Sequence, residues 1–319
     1  MGNRTYELIV IGGGPGGLAT AIEGRYLGIS DTLILEKGHS HSMTIRDYYK
    51  DGKRVDKDWK GAKVDLVGNI QFTDGTKETT LELFDHLITE HQLDIKYRSD
   101  VEAISRVDNY FRVLDTSGNV YFAKNVVIAI GSMGKPNKPD YPIPAKIKKV
   151  VNFNLEKAQK GEKFLVVGGG NSAVEYALEL TNISNDVTLT YRRGRFTRVN
   201  PENLHNLDIA VQDGKLKLRT ATDIKMLSEE NGKIVVHYQH GELESYDRVI
   251  YAIGGVVPKE FLKKSGIEID SKGKPILDSN FQTSVKNLYV VGDLAVQSGG
   301  SIALALNHGY YVAKAIANV

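Results

Sequence analysis

Apolar positions along the chain fall in short runs punctuated by glycine. Residues 6–11 read as a buried strand that ends in Gly12-Gly13-Gly14-Pro15-Gly16-Gly17, after which residues 18–23 open a helix with small side chains. Residues 164–167 repeat the arrangement, leading through Gly168-Gly169-Gly170-Asn171-Ser172-Ala173 into residues 174–177. A second pair also recurs: the strands 126–130 and 249–253 run into Gly131 and Gly254 through the same Ala-Ile-Gly ending. The order of glycine turn, Ala-Ile-Gly, glycine turn and Ala-Ile-Gly predicts an α/β chain in which one nucleotide-binding unit is duplicated. Residues 287–291 predict a further buried strand ending at Gly292-Asp293, and the amphipathic stretch 301–317 predicts a closing helix.

Proline locates the joints. Pro136, Pro139, Pro142 and Pro144, half of the 8 prolines, follow the first Ala-Ile-Gly, and Pro258 follows the second. Proline fixes φ and cannot donate to a ladder, so both stretches read as extended crossings. The expected architecture is therefore two Rossmann-like, three-layer domains, one inserted into the other. The discontinuous domain takes residues 1–134 and 259–319, the inserted one takes 150–254, and 135–149 with 255–258 form the hinge connections.

Composition narrows the possibilities. A chain of 319 residues suffices for two domains of ordinary size. Lys and Arg number 41 against 39 Asp and Glu, a net charge of +2, which lacks the basic excess that nucleic acid or a membrane surface requires. No apolar run approaches the roughly 20 residues of a membrane span, and residues 8–11 are too short for a signal-peptide core. Tyr6 stands where a myristoylation signal needs Ser or Thr, so the expected location is the cytoplasm. There is no cysteine at all. No disulfide, thiolate nucleophile or cysteine-ligated metal can form within this chain, and its chemistry must come from other side chains or a bound cofactor.

Gly12-x-Gly14-x-x-Gly17 between a strand and a helix is the setting of a dinucleotide fingerprint. The first glycine permits the tight turn, the second admits pyrophosphate to backbone N–H groups, and the third lets helix pack on strand. Glu36 ends the next strand, where a carboxylate accepts hydrogen bonds from ribose hydroxyls. The second turn has Ala173 as its third small residue. The spacing from Gly168 to Arg192 equals that from Gly12 to Glu36, so Arg192 and Arg193, with Arg198 nearby, replace the acid. Guanidinium groups pair with a 2′-phosphate that a carboxylate would repel, so the second unit suits NADPH and the first an unmodified dinucleotide. Asp293 at a strand end can accept from a ribityl chain, while Ser301, Ile302 and Ala303 open a helix that can direct N–H groups at a flavin.

The two glycine turns, the two Ala-Ile-Gly strands and the late Val-Val-Gly-Asp strand resemble the low-molecular-weight thioredoxin reductase type of flavoprotein over essentially the whole chain. That resemblance implies FAD in the first unit with the tail, NADPH in the inserted unit, and hydride transfer from nicotinamide C4 to flavin N5. The expected FAD set is Gly12, Gly13, Gly14, Pro15, Gly16, Gly17, Glu36, Lys37, Val101, Ala129, Gly131, Gly292, Asp293, Ser301, Ile302 and Ala303. The expected NADPH set is Gly168, Gly169, Gly170, Asn171, Ser172, Ala173, Arg192, Arg193, Arg198, Ile253 and Gly254. No catalytic side chain and no metal are expected.

A departure from the family matters as much as the match. Thioredoxin reductases carry Cys-x-x-Cys shortly before the second turn, where residues 150–155 have none, and bacillithiol disulfide reductases carry a cysteine within the first turn, occupied here by Gly14, Pro15 and Gly16. Residues 37–42, 53–58 and 305–310 are similar to cysteine-free NADPH:flavodoxin (flavodoxin:quinone) oxidoreductases. The resemblance implies a homodimer that passes electrons from the flavin to flavodoxin or to ferredoxin. A quinone or other small-acceptor reductase is the alternative, and a non-enzymatic redox sensor is a more distant one.

Other residues allow bland readings. His39 and His41 suit loop histidines near an adenosine better than a metal pair. Trp59, Tyr48 and Tyr49 suit ordinary packing better than a flavin cover, and His308 reads equally as a core histidine or a flavin neighbour. Lys50, Lys53, Arg54, Lys57, Lys60 and Lys63 form a solvated face interleaved with aspartate and also the best local docking patch for an acidic protein.

Overall fold

The computed structural model describes residues 4–58, 63–131, 136–184, 186–255, 258–296 and 300–318. Trp59, Lys60, Lys135 and Val257 lie outside these residues. The chain forms two compact units, Met1–Gly134 with Val257–Val319 and Lys135–Val256.

The first unit runs β1 (Thr5–Ile11), α1 (Pro15–Tyr26), β2 (Thr32–Leu35), α2 (Met43–Tyr48), β3 (Arg54–Val55), β4 (Gly75–Thr76), α3 (Lys77–Glu90), β5 (Asp94–Lys96), β6 (Val101–Val107), β7 (Tyr110–Asp115) and β8 (Val120–Ile128). The second runs β9 (Val151–Asn152), β10 (Phe164–Val167), α4 (Asn171–Leu180), β11 (Val187–Tyr191), α5 (Pro201–Gln212), β12 (Lys217–Thr220), β13 (Ile224–Glu230), β14 (Lys233–Tyr238), β15 (Leu243–Tyr246) and β16 (Arg248–Tyr251). The chain then returns to the first unit with α6 (Lys259–Lys264), β17 (Leu288–Val290) and α7 (Ile302–Ala317).

The main sheet of the first unit has the order β5-β2-β1-β8-β7-β6, with β17 beside the end of β8. Its centre is parallel, and β6, β7 and β8 form an antiparallel meander. Side chains alternate across a strand, so Leu8 and Val10 join one core with α1 and α3, while Ile9 and Ile11 join the opposite core with Phe111 and Val113. Helix α1 has no polar stripe: Gly16 through Gly24 are buried, as expected of a helix enclosed on all sides. The reason is α7. A Cβ on Gly309 would lie 2.6 Å from both Ala19 Cβ and Thr20 N, so the two backbones meet without intervening side chains.

The second unit has a parallel sheet ordered β12-β11-β10-β16-β9. Phe164, Val166 and Ile250 pack with α4 and α5 on one face, and Leu165, Val249 and Tyr251 pack beneath the antiparallel β13-β14-β15 sheet on the other. Ile147 belongs to this second core. Within the expected extended crossing, Ile147 is therefore a core position of the second unit. Both units are α/β layers in the Rossmann manner, with their glycine turns at the C-terminal ends of the central strands.

Candidate functional site: two glycine turns at strand ends

The duplication holds at the level of individual hydrogen bonds. In the first unit Gly12 N donates to Leu35 O (2.9 Å) and Ala129 N to Ile11 O (2.8 Å). In the second, Gly168 N donates to Thr190 O (3.0 Å) and Ala252 N to Val167 O (2.8 Å). Each turn is thus clamped between the strand that follows its helix and the strand that ends in Ala-Ile-Gly. Gly12 sits at φ +109°, and a Cβ there would lie 2.5 Å from Ala129 O; Gly168 sits at φ +155° and faces Ala252 O in the same way. Only glycine tolerates both the left-handed backbone and the close approach.

The glycines divide by what they face. A Cβ on Gly17 would collide with Gly12 O, and one on Gly16 would crowd Val291, so these two serve packing. Ala173 fills the corresponding place in the second turn, where its methyl group lies under Gly168. Gly14 and Gly170 instead face open space, and they are the N-caps of α1 and α4. Neither helix has a side-chain cap or an acidic residue in its first turn. Their first N–H groups and the positive helix end, equivalent to roughly half a charge, are left for an anion such as a pyrophosphate. Pro15 occupies the first helical turn, where its missing N–H costs nothing.

Glu36 is buried at the end of β2. Its two carboxylate oxygens accept from Gly13 N and Gly38 N, each at 2.6 Å. The carboxylate thus braces the turn and retains lone pairs for further donors such as ribose hydroxyls. Ser99 N donates to Glu36 O (2.9 Å) and Arg98 N to Gly38 O (2.8 Å), and the half-buried Val101 follows two residues later at the start of β6. Lys37 is exposed beside it, and Gly131, at φ +64°, follows Ala129 on the neighbouring strand end.

Gly292-Asp293 follows β17 as a 3₁₀ turn. Asp293 lies in a low-polarity setting that raises its carboxyl pKa, an effect opposed by Lys274. Gly300 packs against that carboxylate too closely for any larger residue. Ser301 caps α7 by accepting from Leu304 N at 3.2 Å, which leaves the N–H groups at Ile302 and Ala303 to point from the helix end. His308 was open to two readings and proves to be a buried side chain of α7. Its Nδ1 accepts from Gly292 N at 3.3 Å, and its ring lies 4.2 Å from that of Phe281. Burial pushes its pKa down to about 4, keeping it a neutral acceptor. Only the tertiary approach of α7 to the strand end reveals this contact.

In the second unit, Arg192, Arg193, Arg195 and Arg198 are exposed, and none has an acidic partner among the described residues. Arg198 bridges along the backbone to Gly170. Asn171 Oδ1 accepts from Asn200 N at 2.8 Å, so this side chain ties the arginine loop to the turn. Tyr191 lies over Gly169 and stacks on Phe196 at 5.1 Å, forming an aromatic wall that charge-based reading overlooked, although Tyr191 directly precedes the arginine pair. Ser172 is exposed in the first turn of α4, and Ile253 and Gly254 follow Ala252 at the neighbouring strand end.

The other candidates resolve locally. His41 is buried, with Nε2 2.8 Å from Asp85 Oδ1 and 2.7 Å from Arg46 Nη2, and burial lowers its pKa. The basic face is engaged with its own aspartates: Arg54 with Asp56 and Asp74, Lys57 with Asp58, Lys63 with Asp65, and Lys53 over the Tyr49 ring. Interleaved acids reduce its local field, which weakens it as a docking patch.

Comparison with known proteins agrees with this geometry. Bacilliredoxin reductase of Bacillus subtilis is 25% identical over 98% of this chain and 97% of its own length. A ferredoxin–NADP reductase of Rickettsia akari is 25% identical over 92% of this chain and 86% of its own. The thioredoxin reductase of T. acidophilum superposes with a TM-score of 0.79 at 21% identity, covering 99% of each chain, a likeness of fold. The profile of the pyridine nucleotide-disulphide oxidoreductases matches residues 9–292, and on that match the chain belongs to this family, as a flavoprotein of the thioredoxin-reductase-like type.

Proposed function

We propose that this protein is an NADPH-dependent FAD oxidoreductase that passes electrons to flavodoxin, or to ferredoxin, without a redox disulfide of its own. The cofactors of the family are FAD and NADPH, and the residues fit both: each open-faced turn can cradle a pyrophosphate, and only one carries the arginines that suit a 2′-phosphate. We assign FAD to 1–134 with 259–319, NADPH to 150–254, and the hinge role to 135–149 and 255–258. When bound, the pair supplies hydride transfer from nicotinamide to flavin. The chain's own part is to orient and shield. Glu36 braces the first turn, Asp293 and the N-terminus of α7 offer an acceptor and donors at one strand end, and neutral His308 fixes the Gly292 amide.

The observation that carries the acceptor assignment is the complete absence of cysteine beside two intact dinucleotide turns. Electrons then leave directly from the flavin, and the ferredoxin–NADP reductase relatives support a protein acceptor. The bacilliredoxin reductase relative, with the similar structure of a Staphylococcus aureus bacillithiol disulfide reductase, favours a second reading, reduction of a disulfide substrate. Anaerobic titration of the FAD-loaded protein with NADPH, followed by turnover with each acceptor class, separates the two. One NADPH per FAD with turnover on flavodoxin or ferredoxin supports the proposal; turnover confined to bacillithiol disulfide or to quinone refutes it.

A further inference from the structure

The first unit holds a concavity away from its own glycine turn, a cavity of about 770 Å³. Lys124 on β8 and Asn287 just before β17 line it, so it opens toward the N-terminal side of β17, whereas the glycine turn of this unit follows the C-terminal end of the parallel neighbour β1. From Lys124 to Ile128 the strand advances about 13 Å at roughly 3.3 Å per residue. The volume falls within the range of roughly 300–1,000 Å³ usual for small-molecule sites.

Its wall has one sign of charge. Lys124, Lys286 and Lys314 all face it, and no aspartate or glutamate contributes among the described residues. Among those residues none of the three ammonium groups has a carboxylate partner, unlike Lys57, Lys63 and Lys77 in the same unit. The remaining lining is mostly carboxamide and phenol, the latter from Tyr289, Tyr310 and Tyr311, and the last two rings meet edge to face at 5.7 Å. The carbonyl end of α7 also lies here, but its roughly half negative charge is outweighed by three cations. Uncompensated like charges in a concave wall focus the field and favour an anionic occupant. The hydroxyl and carboxamide donors add hydrogen bonds to oxyanions, and the tyrosine faces add a platform for a planar ring.

We propose that this cavity binds a small polyanion of nucleotide size, held by Lys124, Lys286 and Lys314 and flanked by Tyr310 and Tyr311. The site shares no residue with the expected FAD or NADPH sets and does not depend on the acceptor assigned above. The test is calorimetric titration of the FAD-loaded protein, saturated with NADP⁺ so that the arginine loop is filled, with ATP, inorganic pyrophosphate and citrate in turn. Saturable binding is expected for at least one probe. Lys124→Glu, Lys286→Glu and Lys314→Glu should each weaken it at least tenfold and together abolish it, with reduction of FAD by NADPH unchanged. Binding of ATP but not pyrophosphate, lost in Tyr311→Ala, would identify a ring-bearing phosphate; citrate alone would identify a carboxylate. Absence of binding by all three probes overturns the proposal, as does binding unaffected by the triple reversal. Sedimentation supplies a further check: a cavity closed by a second copy, shown by a dimer that the reversals split and that excludes every probe, also overturns it.

Discussion

Replacing Arg192 and Arg193 together with alanine probes the functional difference between the two units. Both guanidinium groups are exposed and have no acidic partner among the described residues, so removing them breaks no ion pair seen there and should leave stability nearly unchanged. A hydrogen bond to a charged group contributes roughly 1.5–3 kcal/mol. At an exposed, salt-screened site the lower end applies, which gives about 3 kcal/mol for the pair, or about a hundredfold. Arg195 and Arg198 remain nearby and will recover part of this, so the preference for NADPH over NADH should fall by about ten- to a hundredfold. The 2′-phosphate is remote from the reacting atoms, so the loss should appear in KM with kcat almost constant. The assay is steady-state reduction of an artificial acceptor with both nucleotides, with Arg219→Ala as control because Arg219 is paired with Glu242 and Glu244. An unchanged NADPH/NADH ratio in the double variant would refute the register argument that set these arginines opposite Glu36.

Three further outcomes follow from the geometry. Glu36→Gln places an amide donor against Gly13 N or Gly38 N and removes the charge from both bonds, so FAD affinity should fall at least tenfold by fluorescence titration; full retention would exclude Glu36 from the site. Gly12→Ala forces a Cβ against Ala129 O at positive φ and should cost about 2–5 kcal/mol in urea unfolding, whereas Gly14→Ala, which faces open space, should reduce FAD binding more than stability. His308, with its folded pKa lowered to about 4 from 6.5, binds its proton less readily than in the unfolded chain. Its stabilising contribution is therefore complete above pH 6.5 and is lost as pH falls towards 4, by roughly 3 kcal/mol in all. His308→Asn should flatten this part of the stability profile, and an unaltered slope would count against a buried neutral histidine.

The features most legible in the sequence were those made by local geometry. A strand, a glycine turn and a helix are adjacent in the chain, so residues 6–23 and 164–177 disclose both turns, and an equal spacing from Gly12 to Glu36 and from Gly168 to Arg192 discloses their different charges. What remained hidden depends on long-range packing. His308 meets Gly292 only because Gly309 lets α7 lie directly on α1. Asn171 looks like a ligand of the second turn, yet its carbonyl oxygen is committed to Asn200 N, a contact across 29 positions. The basic run near Lys53 reads as a patch in one dimension and becomes a set of ion pairs in three, because Asp74 and Tyr49 fold against it. The anchoring of Ile147 in the second core was equally invisible, since proline content registers an extended backbone and not what packs against it.

In the proposed reaction electrons pass from NADPH through the flavin to a protein acceptor with no thiol involved. Its most direct test is anaerobic stopped-flow mixing of the NADPH-reduced, FAD-loaded protein with oxidised flavodoxin, ferredoxin, quinone or bacillithiol disulfide in parallel. Rapid flavin reoxidation by flavodoxin or ferredoxin is expected, slowed by added salt and unaffected by thiol alkylation of the enzyme. Reoxidation that is fast only with the disulfide, or with quinone while both proteins are inert, would contradict it.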